Sequence, residues 1–363
     1  RERDVQRPES LAFLKGALKF CAARVGGRSE GGCPFGQRAS LVFGEVLGNL
    51  DDDLKVEVTV NRTYSVSSNE FFRWNELASA FESQSQINTS TLTYSNVSFG
   101  SAFVNLGNEF ESDVFNDMLA KRKEISVLLG QKNTNSSATN SGYYDGYGAS
   151  QQEVVLGSFL TAYTNRGVSD NNINPVKNMP LPNWSLNYNG LKKFDFMKKR
   201  IKNFVIRHAY SSSISISGMQ TNLNATFDAN GNPLTRDLND NFLAGNQIQN
   251  VSITERFSPL IGLDATWLIK SKGKAQGLIT KFEYKKDRSA VLSLNNNQVT
   301  EILGNEWVVG TGYKFKEVQL PFKKVKPNDL TVRVDISFRD NLTVIRKVVE
   351  NTNQATAGQR VVS

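Results

Sequence analysis

Leu330-Thr331-Val332-Arg333-Val334-Asp335-Ile336-Ser337-Phe338 is the stretch that decides the fold class of this chain. Every second residue is apolar, and those between are polar or charged. Successive side chains of a β-strand point to opposite faces, so the stretch reads as a strand with one greasy and one hydrated face. The same alternation recurs outward from it. Trp307, Val309, Thr311, Tyr313 and Phe315 stand against Gly310, Gly312, Lys314 and Lys316. Thr280, Phe282 and Tyr284 stand against Lys281, Glu283 and Lys285. Ile261, Leu263, Ala265 and Trp267 face away from Gly262, Asp264 and Thr266. Leu54, Val56, Val58 and Val60 alternate with Lys55, Glu57, Thr59 and Asn61.

A soluble sandwich alternates in the same way, but three features favour a membrane barrel. The segments run to about nine residues or more, the length of a tilted membrane strand. Trp184, Trp267, Trp307, Tyr188, Tyr284 and Tyr313 sit near the ends of apolar faces, where interfacial girdles belong. The opposite faces carry full charges, which makes Lys281, Glu283, Arg333 and Asp335 the candidates for facing a water-filled lumen. The expected fold is all-β with short loop helices, an antiparallel transmembrane β-barrel segment. Its connections are expected to range from tight, as at Lys286–Arg288, to long.

Composition agrees with polar turns and half-buried strands, since Asn and Gly tolerate left-handed backbone while Thr and Tyr suit pleated surfaces. No run of 18 apolar residues exists, which excludes a transmembrane helix but not a barrel. The net charge is +8, with small basic clusters at Lys192–Lys202 and Lys314–Lys326. No helix-turn-helix, zinc finger or aromatic RNA-binding motif accompanies them, so nucleic acid is not an expected partner. Cys21 and Cys33 are the only cysteines. Without a CxxC or a nearby histidine they make no zinc site, and they are either a short disulfide or free thiols.

Residues 1–40 show no sustained period of two and stay unassigned, although Leu11–Ala22 has the makings of a short helix ended by Gly26–Gly36. The N-terminus has no apolar core of a secretory signal and reads as internal or processed. Residues 41–363 form the barrel segment, with helical insertions within about 110–163. Ser112 caps a helix through Val114, Phe115, Met118, Leu119, Arg122, Ile125, Leu128 and Leu129, and Gln151–Tyr163 forms a second. Asn133–Gly148 between them reads as a flexible loop. Helices in such loops are expected to act as lids, lumen fillers or partner docks, or to cover a strand edge.

Catalytic chemistry finds no foothold. His208 lies in strand-like Phe204-Val205-Ile206-Arg207-His208-Ala209-Tyr210, no GxSxG elbow occurs, and a structural interfacial role is the better reading. Asp145 in Tyr143–Gly148 lacks the alternating carboxylates of a calcium loop. Gly310-Thr311-Gly312 lies inside a strand without the helix and lysine of a phosphate loop, so it reads as a place of close packing. No cofactor, metal or enzymatic activity is expected.

Several segments in order resemble one family. Pro180, Leu181, Pro182, Asn183 and Trp184, followed by Tyr188, Gly190 and Leu191, are similar to a recurrent segment of the SprA/Sov proteins. Asp145-Gly146-Tyr147, Arg256–Gly262, Asp264–Trp267, Glu283–Lys286, Asn296–Glu301, Gly310–Tyr313, Arg339-Asp340-Asn341 and Thr356–Gln359 add to the likeness, which spans about residues 54–363. The resemblance implies part of a very large outer-membrane barrel of a Gram-negative bacterium, C-terminally truncated at Ser363. It also implies the work of a type IX secretion translocon, which exports folded cargo proteins and thereby supports gliding motility. The expected partners are outer-membrane lipid, a PorV-like shuttle barrel, a periplasmic plug protein and the secreted cargo. The alternative is a receptor-type or porin-like barrel for solute uptake.

Overall fold

The computed structural model describes residues 36–42, 53–98, 111–271, 274–318, 328–348 and 355–363. The readings placed on Leu11–Ala22, Cys21 and Cys33 lie outside the described residues, as does most of Lys314–Lys326.

Eleven strands form a single antiparallel sheet among these residues. They are β1 (Gly36–Val42), β2 (Leu54–Asn75), β3 (Ala80–Ser95), β4 (Asn183–Tyr188), β5 (Ile201–Thr221), β6 (Asn246–Gln247), β7 (Asn250–Ser271), β8 (Lys274–Ser293), β9 (Gln298–Val318), β10 (Asn328–Lys347) and β11 (Ala357–Val362). Their order across the sheet is β1-β2-β3-β5-β7-β8-β9-β10-β11. From β7 onward it is a plain meander. β1 straddles residue 40.

The long strands carry 20 to 22 residues, about twice the length of their apolar runs. Lys286–Arg288 is therefore no turn. Lys286 pairs with Phe257 and Asn305, and Arg288 pairs with Glu255 and Leu303, so β8 passes straight through. The charged triplet offers none of the left-handed positions that a tight hairpin needs; the turn instead falls after Ser293, with Asn297 at φ 50°. In β7, Phe257 and Ile261 lie opposite Lys286 and Tyr284, so two extra residues bulge out around a cis Ser258–Pro259 bond. Two extra residues preserve the facing of the side chains on both sides of the bulge.

β3 and β4 occupy one lane between β2 and β5. β3 pairs with Arg62–Asn75 and with Ser213–Gln220, while β4 pairs with Leu54–Thr59 and with Ile206–Tyr210. The chain leaves this lane after Ser95 and returns at Asn183. Leu181 N donates to Ser95 O at 2.9 Å, closing the excursion at its base.

The excursion holds helices α1 (Asp113–Gly130), α2 (Gln152–Tyr163) and α3 (Asp170–Ile173); α4 (Asp195–Lys198) lies in the β4–β5 connection. Ser112 caps α1, its hydroxyl accepting from Phe115 N at 3.2 Å. Gln151 plays the same part for α2, accepting from Glu153 N and Val154 N. α2 carries Val155, Leu156, Phe159 and Leu160 into one core with Phe115 and Met118 of α1. That core closes on Leu92 and Tyr94 of β3, Ile214 and Ile216 of β5, Val251 and Ile253 of β7, Ala290 and Leu292 of β8, and Val299 of β9. The helices thus belong to the largest apolar cluster among the described residues.

Candidate functional site: a two-faced wall and its docked insertion

Strand register sorts the side chains into rows. On one face, Ile206, Leu263, Phe282, Val309 and Ile336 lie side by side. Phe204, Ala265, Thr280, Thr311 and Val334 form the next row, then Ile201, Trp267, Leu278, Tyr313 and Val332. The band is open on β9 and β10, where Val309 is 50 %, Val334 56 % and Ile336 53 % exposed, while Ile201 on β5 and Ala265 on β7 are buried. An aromatic-rich row of Ile261, Tyr284, Trp307 and Phe338 bounds it on one side, with Tyr284 and Trp307 stacked at 4.2 Å. Beyond it comes a polar row of Lys286, Asn305 and Asp340. The next rows, from Glu255, Arg288 and Leu303 to Val251, Leu292, Val299 and Arg346, continue the same face but lie under the helices. One face therefore has an exposed apolar zone and a covered zone.

The opposite face is ionic beside the exposed band. Arg207 reaches Asp264 at 2.5 Å and Glu283 at 2.6 Å. Glu283 also takes Lys281 at 3.1 Å, and Lys285 bridges to Glu306 at 3.2 Å. Arg333 pairs with Asp335 at 2.9 Å. All four charged residues singled out from the sequence thus lie on this face. Lys281 and Asp335 are neighbours across Gly310, where an added Cβ would run into the Asp335 carboxylate. Gly304 beside the Asp287 carboxylate repeats the arrangement, whereas a Cβ at Gly262 would first meet Pro259 and one at Gly312 the Val332 carbonyl. Missing side chains leave room for charged ones to lie along the sheet. Alternation made the facing legible; the glycine partners required register.

The insertion docks on the side of the apolar band, not of the ionic face. Ile, Leu and Val in the covered rows need an apolar lid, and α1 and α2 supply it. The Asn133–Gly148 loop, expected to be flexible, is tied down as well. Asn133 is buried and donates to Tyr147 Oη at 3.1 Å, and Ser136 Oγ donates to the Asp145 carbonyl at 2.6 Å.

Sequence reasoning missed the charged residues beneath the insertion. Glu301 accepts from Tyr163 Oη at 2.7 Å and from Ser112 Oγ at 3.3 Å, and it pairs with Arg346, whose surface is 0 % exposed. Burial, and next the charge of Glu301, push the Tyr163 phenol well above its usual range, so it stays a donor. Glu255 accepts from Tyr210 Oη at 2.7 Å and faces Arg288 at 3.5 Å, while Arg288 donates to the Tyr163 carbonyl at 3.1 Å. Arg122 of α1 donates to Val348 O at 2.9 Å. A readable signal existed: Arg288, Glu301 and Arg346 fall in phase with the apolar residues of their strands.

The family-like Pro180–Trp184 segment restarts the broken lane. Leu181 makes the closing bond to Ser95, Asn183 Oδ1 accepts from Ser212 N at 2.8 Å, and Trp184 stacks on Tyr210 at 4.5 Å. His208 Nδ1 lies 2.7 Å from Leu260 O and its ring 6.2 Å from that of Phe257.

Asp145 ties the insertion to the β5–β7 loop through a two-pronged contact with Arg236, at 2.8 and 2.7 Å. The Arg236 hydrogen bonds hold the Asp145 carboxyl below the usual carboxylate range. A depressed folded-state pKa stabilises the fold above the unfolded value near 3.9, and the benefit fades as pH falls through the folded value. Amide protection around Asp145 is therefore expected to drop below about pH 4. Asp145→Asn should remove that dependence; an unchanged pH profile in the variant would discredit the assignment.

The described part of the chain is thus a mostly antiparallel β protein whose sheet presents an exposed apolar band on one face and paired charges on the other. No protein-family model and no curated protein matches it.

Proposed function

We propose that this chain is a wall segment of a very large outer-membrane β-barrel, the protein-conducting translocon of the type IX secretion system. One observation carries the membrane reading: an apolar band, open at Trp267, Val309, Val332, Val334 and Ile336 and bounded by aromatics, is backed by a face of paired charges. Lipid suits the first face and a water-filled lumen the second. The likeness of ordered segments to SprA/Sov proteins supports the narrower reading. Lys281, Arg333 and Asp335 then line a hydrated conduit, with Glu283 buried beneath Arg207 and Lys281 as their counter-charge. Passage needs no active site, only an opening and its partners, the PorV-like shuttle barrel and the periplasmic plug. Gliding follows from export of surface adhesins.

Disrupting the full-length protein in its bacterium is expected to block export of type IX cargo and leave small-solute uptake nearly unchanged. Normal export after disruption would sink the translocon reading. Loss of solute uptake with export intact would transfer the barrel to the receptor or porin class.

A further inference from the structure

The β4–β5 connection is a motif that the conduit does not use. Between Leu191 and Lys202 it carries Lys192, Lys193, Lys198, Lys199, Arg200 and Lys202 against a single acidic residue, Asp195. Phe194 and Phe196 project from it, 52 % and 71 % exposed, with ring centroids 6.4 Å apart. Neither phenylalanine belongs to an apolar cluster of the described sheet. The turn is held in place, since Lys193 pairs with Asp53 and Asn189 N donates to Asp53 O at 2.9 Å. It abuts the exposed band: Leu268 N donates to Arg200 O at 2.7 Å, and Ile201 lies opposite Trp267. Trp267, Leu268 and Ile269 are themselves exposed there.

We infer that this turn is a lipid anchor for anionic phospholipid headgroups at the rim of the band, an assignment that rests on the membrane reading above. Exposed Phe rings insert as the apolar part of an interfacial element, and the basic side chains around them meet the phosphates. The attraction grows with each cation near a negative surface and weakens with salt. Charge complementarity thus selects the occupant.

The test uses the full-length protein with Cys21 and Cys33 replaced by Ser. It is reconstituted in bilayers of phosphatidylcholine alone or mixed with phosphatidylglycerol. A nitroxide at Phe194→Cys reports depth through its relative accessibility to oxygen and to a water-soluble nickel chelate, and one at Val334→Cys reports on the band. Val334→Cys is expected to be lipid-immersed in both bilayers. Phe194→Cys should move severalfold toward oxygen accessibility when phosphatidylglycerol is present, and move back at high salt or in K198Q/K199Q/R200Q. A label at Phe194→Cys that stays in water, or reaches one depth in both lipids regardless of salt, overturns the anchor while an immersed Val334→Cys keeps the membrane reading. A water-exposed Val334→Cys overturns the membrane reading, and the anchor with it.

Discussion

Glu301→Leu is expected to loosen the docked insertion by about 3–5 kcal/mol, the usual consequence of stranding one partner of a buried ion pair. Arg346 has no exposed surface, and its guanidinium lies 5.8 Å from the Phe115 ring of α1. Removing Glu301 leaves that cation without its carboxylate and removes one acceptor of the Tyr163 and Ser112 hydroxyls. Limited proteolysis within residues 111–182 should accelerate accordingly. The double variant Glu301→Leu/Arg346→Met should recover much of the loss, because two apolar groups of similar bulk suit the surrounding Val, Leu and Ile. A single variant as resistant as the parent would show that the pair does not hold the insertion down.

Val334→Arg is the second large effect, expected to cost about 2–4 kcal/mol when its row sits at the bilayer midplane. Val334 lies midway along the apolar run of β10, beside Thr311 on β9, and is 56 % exposed. Its neighbour Arg333 points to the other face, beside Gly312 and paired with Asp335. Arg333→Gln should be tolerated, because an exposed ion pair contributes at most about 1 kcal/mol. Unfolding in lipid, followed by gel mobility of the heated and unheated forms, separates the two. Equal tolerance at 333 and 334 would mean that the faces are assigned the wrong way round.

Facing was legible in the sequence because it depends only on a period of two, which local residues carry by themselves. Leu330–Phe338 and Thr280–Lys285 needed no partner to declare their sides. Ser112 was legible for the same reason: a cap acts three residues away. What stayed hidden depends on pairing between distant segments. The apolar face of β10 ends at Phe338, but the strand continues to Lys347 because Thr343 and Val344 find β11 on one side and β9 on the other. Lys286–Arg288 looked like a turn because a charged triplet interrupts an apolar run; in space it marks the passage from the open zone to the covered one. The single lane shared by β3 and β4 had no local signature, since the residues that complete it lie on the far side of three helices.

The glycines of the ionic face carry a consequence for sequence variation. At Gly310 even a methyl group meets the Asp335 carboxylate, and at Gly304 it meets that of Asp287 at 2.6 Å. Substituting either one displaces a neighbour's charge from its place against the backbone, so the change is felt on the adjacent strand rather than at the mutated site. Charges on this face can be exchanged for other polar groups with little strain. At its bare positions the adjustment falls on a neighbouring Asp carboxylate, so a substitution there should be read out in the charge of the partner strand.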